Sequence, residues 1–163
     1  MTELAELLER FRRGPELLAV ATTGAAGTEL DFTPEGKWSV RQIVCHLADA
    51  EATGTLRFRQ VIAEDHPVIP GWNLEAWVNK LGYEKRKISQ VLELFRVLRS
   101  SNYELLKDLP EEAFRRTGTH PTGNEVSLLD LLRMYAEHVE KHVTQLQAAR
   151  AAYREHKAKT AVH

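Results

Sequence analysis

The stretch Val126–Arg150, VSLLDLLRMYAEHVEKHVTQLQAAR, decides the fold. At 100° per residue, Leu128, Leu131, Leu132, Tyr135, Val139 and Leu146 fall on one arc, with Asp130, Arg133, Glu137, Glu140 and Lys141 opposite. Ser127 and Asp130 have the spacing of a helix N-cap and its N3 partner, and Val126 with Leu131 suit a hydrophobic staple. This is an amphipathic helix with a defined start, running to about Arg150 or a few residues beyond.

Three more segments carry the same period. The first spans about Thr2 to Arg13, is punctuated by Gly14-Pro15 and resumes over Glu16–Ala21, ahead of the Gly-rich loop TTGAAGTELDFTPEGK. The second opens at Trp38-Ser39, where Ser39 and Gln42 form a capping box and Trp38 with Ile43 a staple, and reaches about Asp65. The third, about Tyr83 to Leu109, places Ile88, Val91, Leu92, Phe95, Leu98, Leu105, Leu106 and Leu109 on one stripe before Pro110. No segment of comparable length alternates with period two. The expected fold is all-α, a four-helix bundle, because stripes of this length are best buried against one another. The link HPVIPGWNLEAWVNKLG between the second and third helices is long and aromatic, as a crossover or lid would be.

At 163 residues the chain supports one domain, taken as residues 1–155 with a polar tail over 156–163. Net charge is −1 and basic residues are interspersed with acidic ones, which speaks against a nucleic-acid partner. Cys45 is the sole cysteine, so no internal disulfide forms, and MTELAELLERFRR lacks the uninterrupted apolar core of a signal peptide. With no apolar run long enough to span a bilayer, the expectation is a cytoplasmic protein without a membrane partner.

His138 and His142 lie one helical turn apart, His142 within the apolar arc and His138 at its edge. Two inward imidazoles need partners for their ring nitrogens, and a shared divalent metal is one solution. A satisfied core histidine beside a half-exposed one is the other. His46, one turn into the second helix on the flank of its stripe, offers a third nitrogen, and three histidines with open positions are the pattern of a catalytic rather than a structural site.

Glu51 near the centre of the second stripe, and Arg99 with Asn102 on the third, place charge where it must be paired. They read as a buried ion pair fixing helix register, or with Glu51 as a proton shuttle or an acceptor for a ligand histidine. Cys45 sits away from the apolar centre and reads as a packing residue. His120, in the loop RTGTHPTGNEVS, is placed to reach a substrate over the metal or to satisfy loop backbone. Trp72 and Trp77 are candidates for shaping the substrate side. His66, His156 and His163 have no assigned role.

GKWSVRQIVCHLADAE followed by RTGTHPTGNEVSLLDLLRMYAEHVEKHVTQL resembles the DinB-like superfamily, which includes bacillithiol and mycothiol transferases. The similarity runs over about Leu4 to Arg150, with Trp38-Ser39, His46, His120, Gly123 and the His138–His142 pair in order. Resemblance implies an up-down-down-up bundle, often a homodimer, with nickel or zinc held by His46, His138 and His142. It also implies thiol-dependent S-transferase or metal-dependent hydrolase chemistry on a small molecule, with a low-molecular-weight thiol as cosubstrate in the first case. The family often carries a small residue, commonly Gly, at the place of Cys45. Two rivals stay open: a module that holds metal or a small ligand without turnover, and a helical dimer in which the histidines are structural.

Overall fold

The computed structural model describes residues 2–162; His163, the end of the expected tail, lies outside the described residues. Among the described residues six α-helices follow in order: α1 (Glu3–Arg12), α2 (Gly14–Thr22), α3 (Val40–Ala63), α4 (Leu74–Lys80), α5 (Ile88–Leu106) and α6 (Leu128–Ala161). The broken pair α1–α2, with α3, α5 and α6, makes the four-helix bundle. Both capping boxes form as read: Ser39 and Ser127 each accept from the N3 backbone N–H, and Gln42 and Asp130 each accept in return.

Side-chain pairs fix the directions. Glu51 meets Arg99 and Thr55 meets Asn102, so α3 and α5 run parallel. Glu3 meets Arg133 and Arg10 meets Glu140, so α1 and α6 are also parallel. His46 lies against His142 while Gly54 lies against Tyr135, so α3 and α6 are antiparallel. The order is therefore up-down-down-up, with α3 and α1–α2 at opposite corners, each packed on α5 and α6. Parallel α3 and α5 cannot be joined by a tight turn, which accounts for the long connection and the short α4 inside it.

Three local features differ from the sequence reading. α5 begins at Ile88 rather than Tyr83; Tyr83–Lys85 form a 3₁₀ turn that sends the Tyr83 ring back into the core, its hydroxyl donating to Asp49 at 2.5 Å. α6 continues to Ala161, because Ala, Glu and Lys after Arg150 favour helix and the 28–32 loop holds it: Thr28 bonds the Tyr153 hydroxyl at 2.6 Å and Phe32 packs on Tyr153. The stretch before α6 forms a short antiparallel ribbon, β1 (Thr117–Thr119) with β2 (Glu125–Ser127), bridged to Val68 of the long connection. Among the described residues no helix is long and apolar enough to cross a membrane.

Cys45 packs in the core, as read, but is fully buried rather than away from the apolar centre, because thirteen of the 24 residues of α3 are buried: this helix packs on α5 and α6 and is also covered by the Tyr83 turn. Burial raises the Cys45 thiol to about 11, which leaves it protonated and unreactive at neutral pH.

At the centre, Glu51 and Arg99 pair at 2.8 Å, each 1% exposed. The guanidinium also reaches two other helices. Nη1 donates to the Phe11 carbonyl at 2.8 Å and Nη2 to the Tyr135 carbonyl at 3.2 Å, while the group lies 3.9 Å over the Phe11 ring. Pro15 has no N–H to give the Phe11 carbonyl four residues back, so the α1–α2 break frees an acceptor that Arg99 satisfies. Gly14 makes the approach possible: a Cβ there would stand 2.5 Å from Arg99 Nη1.

Candidate metal centre

His46 projects from the second turn of α3, and His138 and His142 from successive turns of α6. Their Nε2 atoms converge: His138 Nε2 lies 3.0 Å from that of His46 and 3.0 Å from that of His142. His46 is 3% exposed, and the other two are half-buried. His138 is as half-buried as its place at the edge of the arc implied, His142 less enclosed than its place within it, and His46 more enclosed than the flank of its stripe implied.

A neutral imidazole nitrogen carries either a proton or one in-plane lone pair, so His138 Nε2 cannot make two good hydrogen bonds at once. His142 Nδ1 lies 2.7 Å from Gln145 Oε1, so this nitrogen carries the proton and Nε2 presents its lone pair to the cluster. All three ligand atoms lie within 4.8 Å of one another. Zn–N distances of 2.0–2.1 Å place tetrahedral ligand nitrogens roughly 3.3 Å apart, close to the spacing around His138. The donor set therefore fits a divalent metal.

Trp38 stacks on the cluster, parallel to His142 at 6.0 Å between centroids and tilted over His46 at 5.1 Å. The N′ residue of a capping box thus also walls the site, a role its helix-start signal alone does not reveal.

Burial lowers the proton affinity of all three rings: His46 falls to about 4 and His138 to about 3, and His142 is lowered too, with neighbouring histidines adding repulsion at the first two. They are neutral at pH 7, the form that binds metal. Because these folded-state values lie below the ordinary 6.5, the unfolded chain takes up more protons as pH drops below 6.5. Metal-free protein should therefore lose stability from pH 6.5 toward 4, with no such loss above 6.5. Thermal unfolding at pH 7.5, 6 and 5 checks this against His138→Gln, whose decline should be shallower. Equal slopes in the two proteins would refute it.

Beside the cluster lies a cavity of about 120 Å³ lined by Ala50, Arg57, Trp72, Met134, Tyr135 and His138. Arg57 is 4% exposed; its Nε and Nη2 both donate to the Pro70 carbonyl, at 3.1 and 2.8 Å, and its guanidinium lies 4.8 Å over the Trp72 ring. The Tyr135 hydroxyl is buried beside Arg57 and makes no hydrogen bond of full geometry among the described residues. Burial pushes it up to about 12, with the Arg57 charge opposing, so it stays a neutral phenol. Gly54 leaves room for that ring, since a Cβ would sit 2.6 Å from it. On a second face His142 lines a more open groove with Lys37, Trp38, Lys141 and Gln145.

Trp72 does line the cavity, and Trp77 packs behind it at 5.6 Å. Glu51 makes no hydrogen bond to the three histidines; its oxygens accept from Arg99 and Asn102. His120 sits in the β1–β2 turn outside the cluster, its Nδ1 accepting from the Thr122 backbone N–H at 3.2 Å. Sequence reasoning missed Arg57 and the Tyr135 hydroxyl. The signal was present: His46, Ala50, Gly54 and Arg57 recur at helical spacing on one stripe, facing His142, His138 and Tyr135 on the other helix.

Comparison with known proteins agrees with this fold. A relative from Halalkalibacterium halodurans is 30% identical over 124 residues, covering 74% of this chain and 72% of its own. One from Geobacillus kaustophilus is 32% identical over 152 residues, covering 91% and 84%. Both bear the name "Putative metal-dependent hydrolase". The structure of YfiT from Bacillus subtilis, described as having an unusual four-helix bundle topology, superposes with a TM-score of 0.87 at 25% identity, covering 94% of this chain and 90% of that one. A mycothiol-dependent maleylpyruvate isomerase shares the fold at 15% identity, with a TM-score of 0.71 over 89% of this chain and 61% of that one. The family model described as the DinB superfamily matches residues 10–146, and the chain belongs to that superfamily.

Proposed function

We propose that this protein is a metal-dependent enzyme that holds a divalent ion, nickel or zinc, through His46, His138 and His142. It turns over a small molecule by activating water, as a hydrolase, or the sulfur of a low-molecular-weight thiol, as an S-transferase. The observation that carries this reading is the convergence of three buried or half-buried Nε2 atoms with no fourth protein ligand among the described residues. A bound divalent ion would lower the pKa of a water or thiol at an open position, which supplies a nucleophile near neutral pH.

The chain's own residues do the rest. Gln145 holds the His142 tautomer, Trp38 shields one side, and α3 and α6 keep the imidazoles in place. The two faces suit two reactants: the cavity at His138 for the electrophile, and the groove at His142, with Lys37 and Lys141, for an acidic thiol. Glu51 acts as a positioning residue through Arg99, and His120 shapes the turn beside the long connection.

The test begins with protein purified without a histidine tag and offered zinc or nickel. Near-stoichiometric uptake is expected, and less than about a tenth of an equivalent ends the reading. Loaded protein is then given an activated aryl halide with cysteine, glutathione or no thiol, and an activated ester alone. Thiol-dependent turnover identifies a transferase and ester turnover a hydrolase. Full loading with neither leaves the non-catalytic metal-binding module.

A further inference from the structure

We infer that the cavity beside His138 is a carboxylate subsite, in which Arg57 and the Tyr135 hydroxyl receive the acidic end of a small substrate whose apolar body lies against Trp72 and Met134. This rests on the preceding reading only in placing the reaction at the three histidines. The Tyr135 hydroxyl is fully buried with Arg57 as its polar neighbour but no hydrogen bond of full geometry, a costly state for a polar group unless water or a ligand completes it. Arg57 spends Nε and one Nη2 bond on the Pro70 carbonyl, and its guanidinium also faces the Tyr135 hydroxyl.

Both groups donate, and no carboxylate lines the cavity to neutralise the guanidinium, so an anion is the matching ligand. The remaining walls, Ala50, Trp72 and Met134, are apolar and suit a short hydrocarbon or aromatic body. The volume, about 120 Å³, is well above what one water requires. The Pro70 carbonyl ties the guanidinium to the long connection, so the donor is held in place before a ligand arrives.

The test titrates acetate, acetamide and inorganic phosphate into metal-free and zinc-loaded protein at pH 7.5, following the Trp72 indole and Arg57 side-chain N–H signals by NMR. Acetate should give saturable shifts in both forms and bind more tightly than acetamide or phosphate. Tyr135→Phe, which removes only the hydroxyl, should weaken acetate about tenfold. Arg57→Lys, which keeps the charge, should weaken it comparably, with circular dichroism confirming the fold. Acetate binding that appears only with zinc and ignores Tyr135→Phe would place the carboxylate on the metal and overturn the inference, as would acetamide or phosphate binding as tightly as acetate. Zinc stoichiometry on the same samples separates the two proposals: acetate binding without zinc uptake sinks the metal reading alone, and zinc uptake with no effect of Tyr135→Phe sinks the subsite alone.

Discussion

His138→Ala protein should remain a folded helical bundle and lose tight zinc or nickel binding, with affinity down roughly 10³-fold if ligand contributions resemble a share of the ~10–16 kcal/mol seen for structural zinc. His138 is the residue to remove because its Nε2 stands 3.0 Å from both of the others, so the remaining pair loses its common neighbour. The fold should survive because the ring is half-buried, while the core around it is apolar. Competition against a chromophoric chelator measures the loss, and His142→Ala should behave alike. Wild-type affinity in either variant would move the site elsewhere.

The second large effect concerns stability. Arg99→Met should cost about 3–5 kcal/mol, the range for breaking a buried pair by removing one partner. For a chain of this size that lowers Tm by roughly 10 °C, at about 2–4 °C per kcal/mol. Three losses coincide: Glu51 is left at 1% exposure with only Asn102 to donate to it, the Phe11 carbonyl at the α1–α2 break loses its side-chain donor, and the Tyr135 carbonyl loses its extra donor. Glu51→Gln combined with Arg99→Met should lose less than the sum of the single changes, since the stranded charge is gone. Additivity of the two, or an Arg99→Met loss under about 1 kcal/mol, would show that the pair does not tie the bundle together.

What was readable beforehand were features carried by a few neighbouring residues. Ser39 with Gln42 and Ser127 with Asp130 announce helix starts because capping is a contact over three residues. Glu51 and Arg99 stood out because charge on an apolar stripe demands a partner, and the parallel α3–α5 register supplied it. The inward turn of His138 and His142 followed from helical angle alone. Cys45 was misplaced because angle arithmetic assumes one buried stripe, whereas α3 is covered by two helices and a turn.

The sequence by itself determined the four apolar stripes, the capped starts at Ser39 and Ser127, and the one-turn spacing of His138 and His142, since these depend on period and on contacts within one or two turns. Only the tertiary structure decided that the three Nε2 atoms converge, that Trp38 stacks on them, that Arg99 answers the carbonyl freed by Pro15, and that Arg57 and the Tyr135 hydroxyl share a cavity. Those facts join residues on different helices, Trp38 and His142 among them, that lie far apart in the sequence. The rotation and offset of packed helices set such distances, and they emerge from the fit of every side chain between the helices rather than from any one segment.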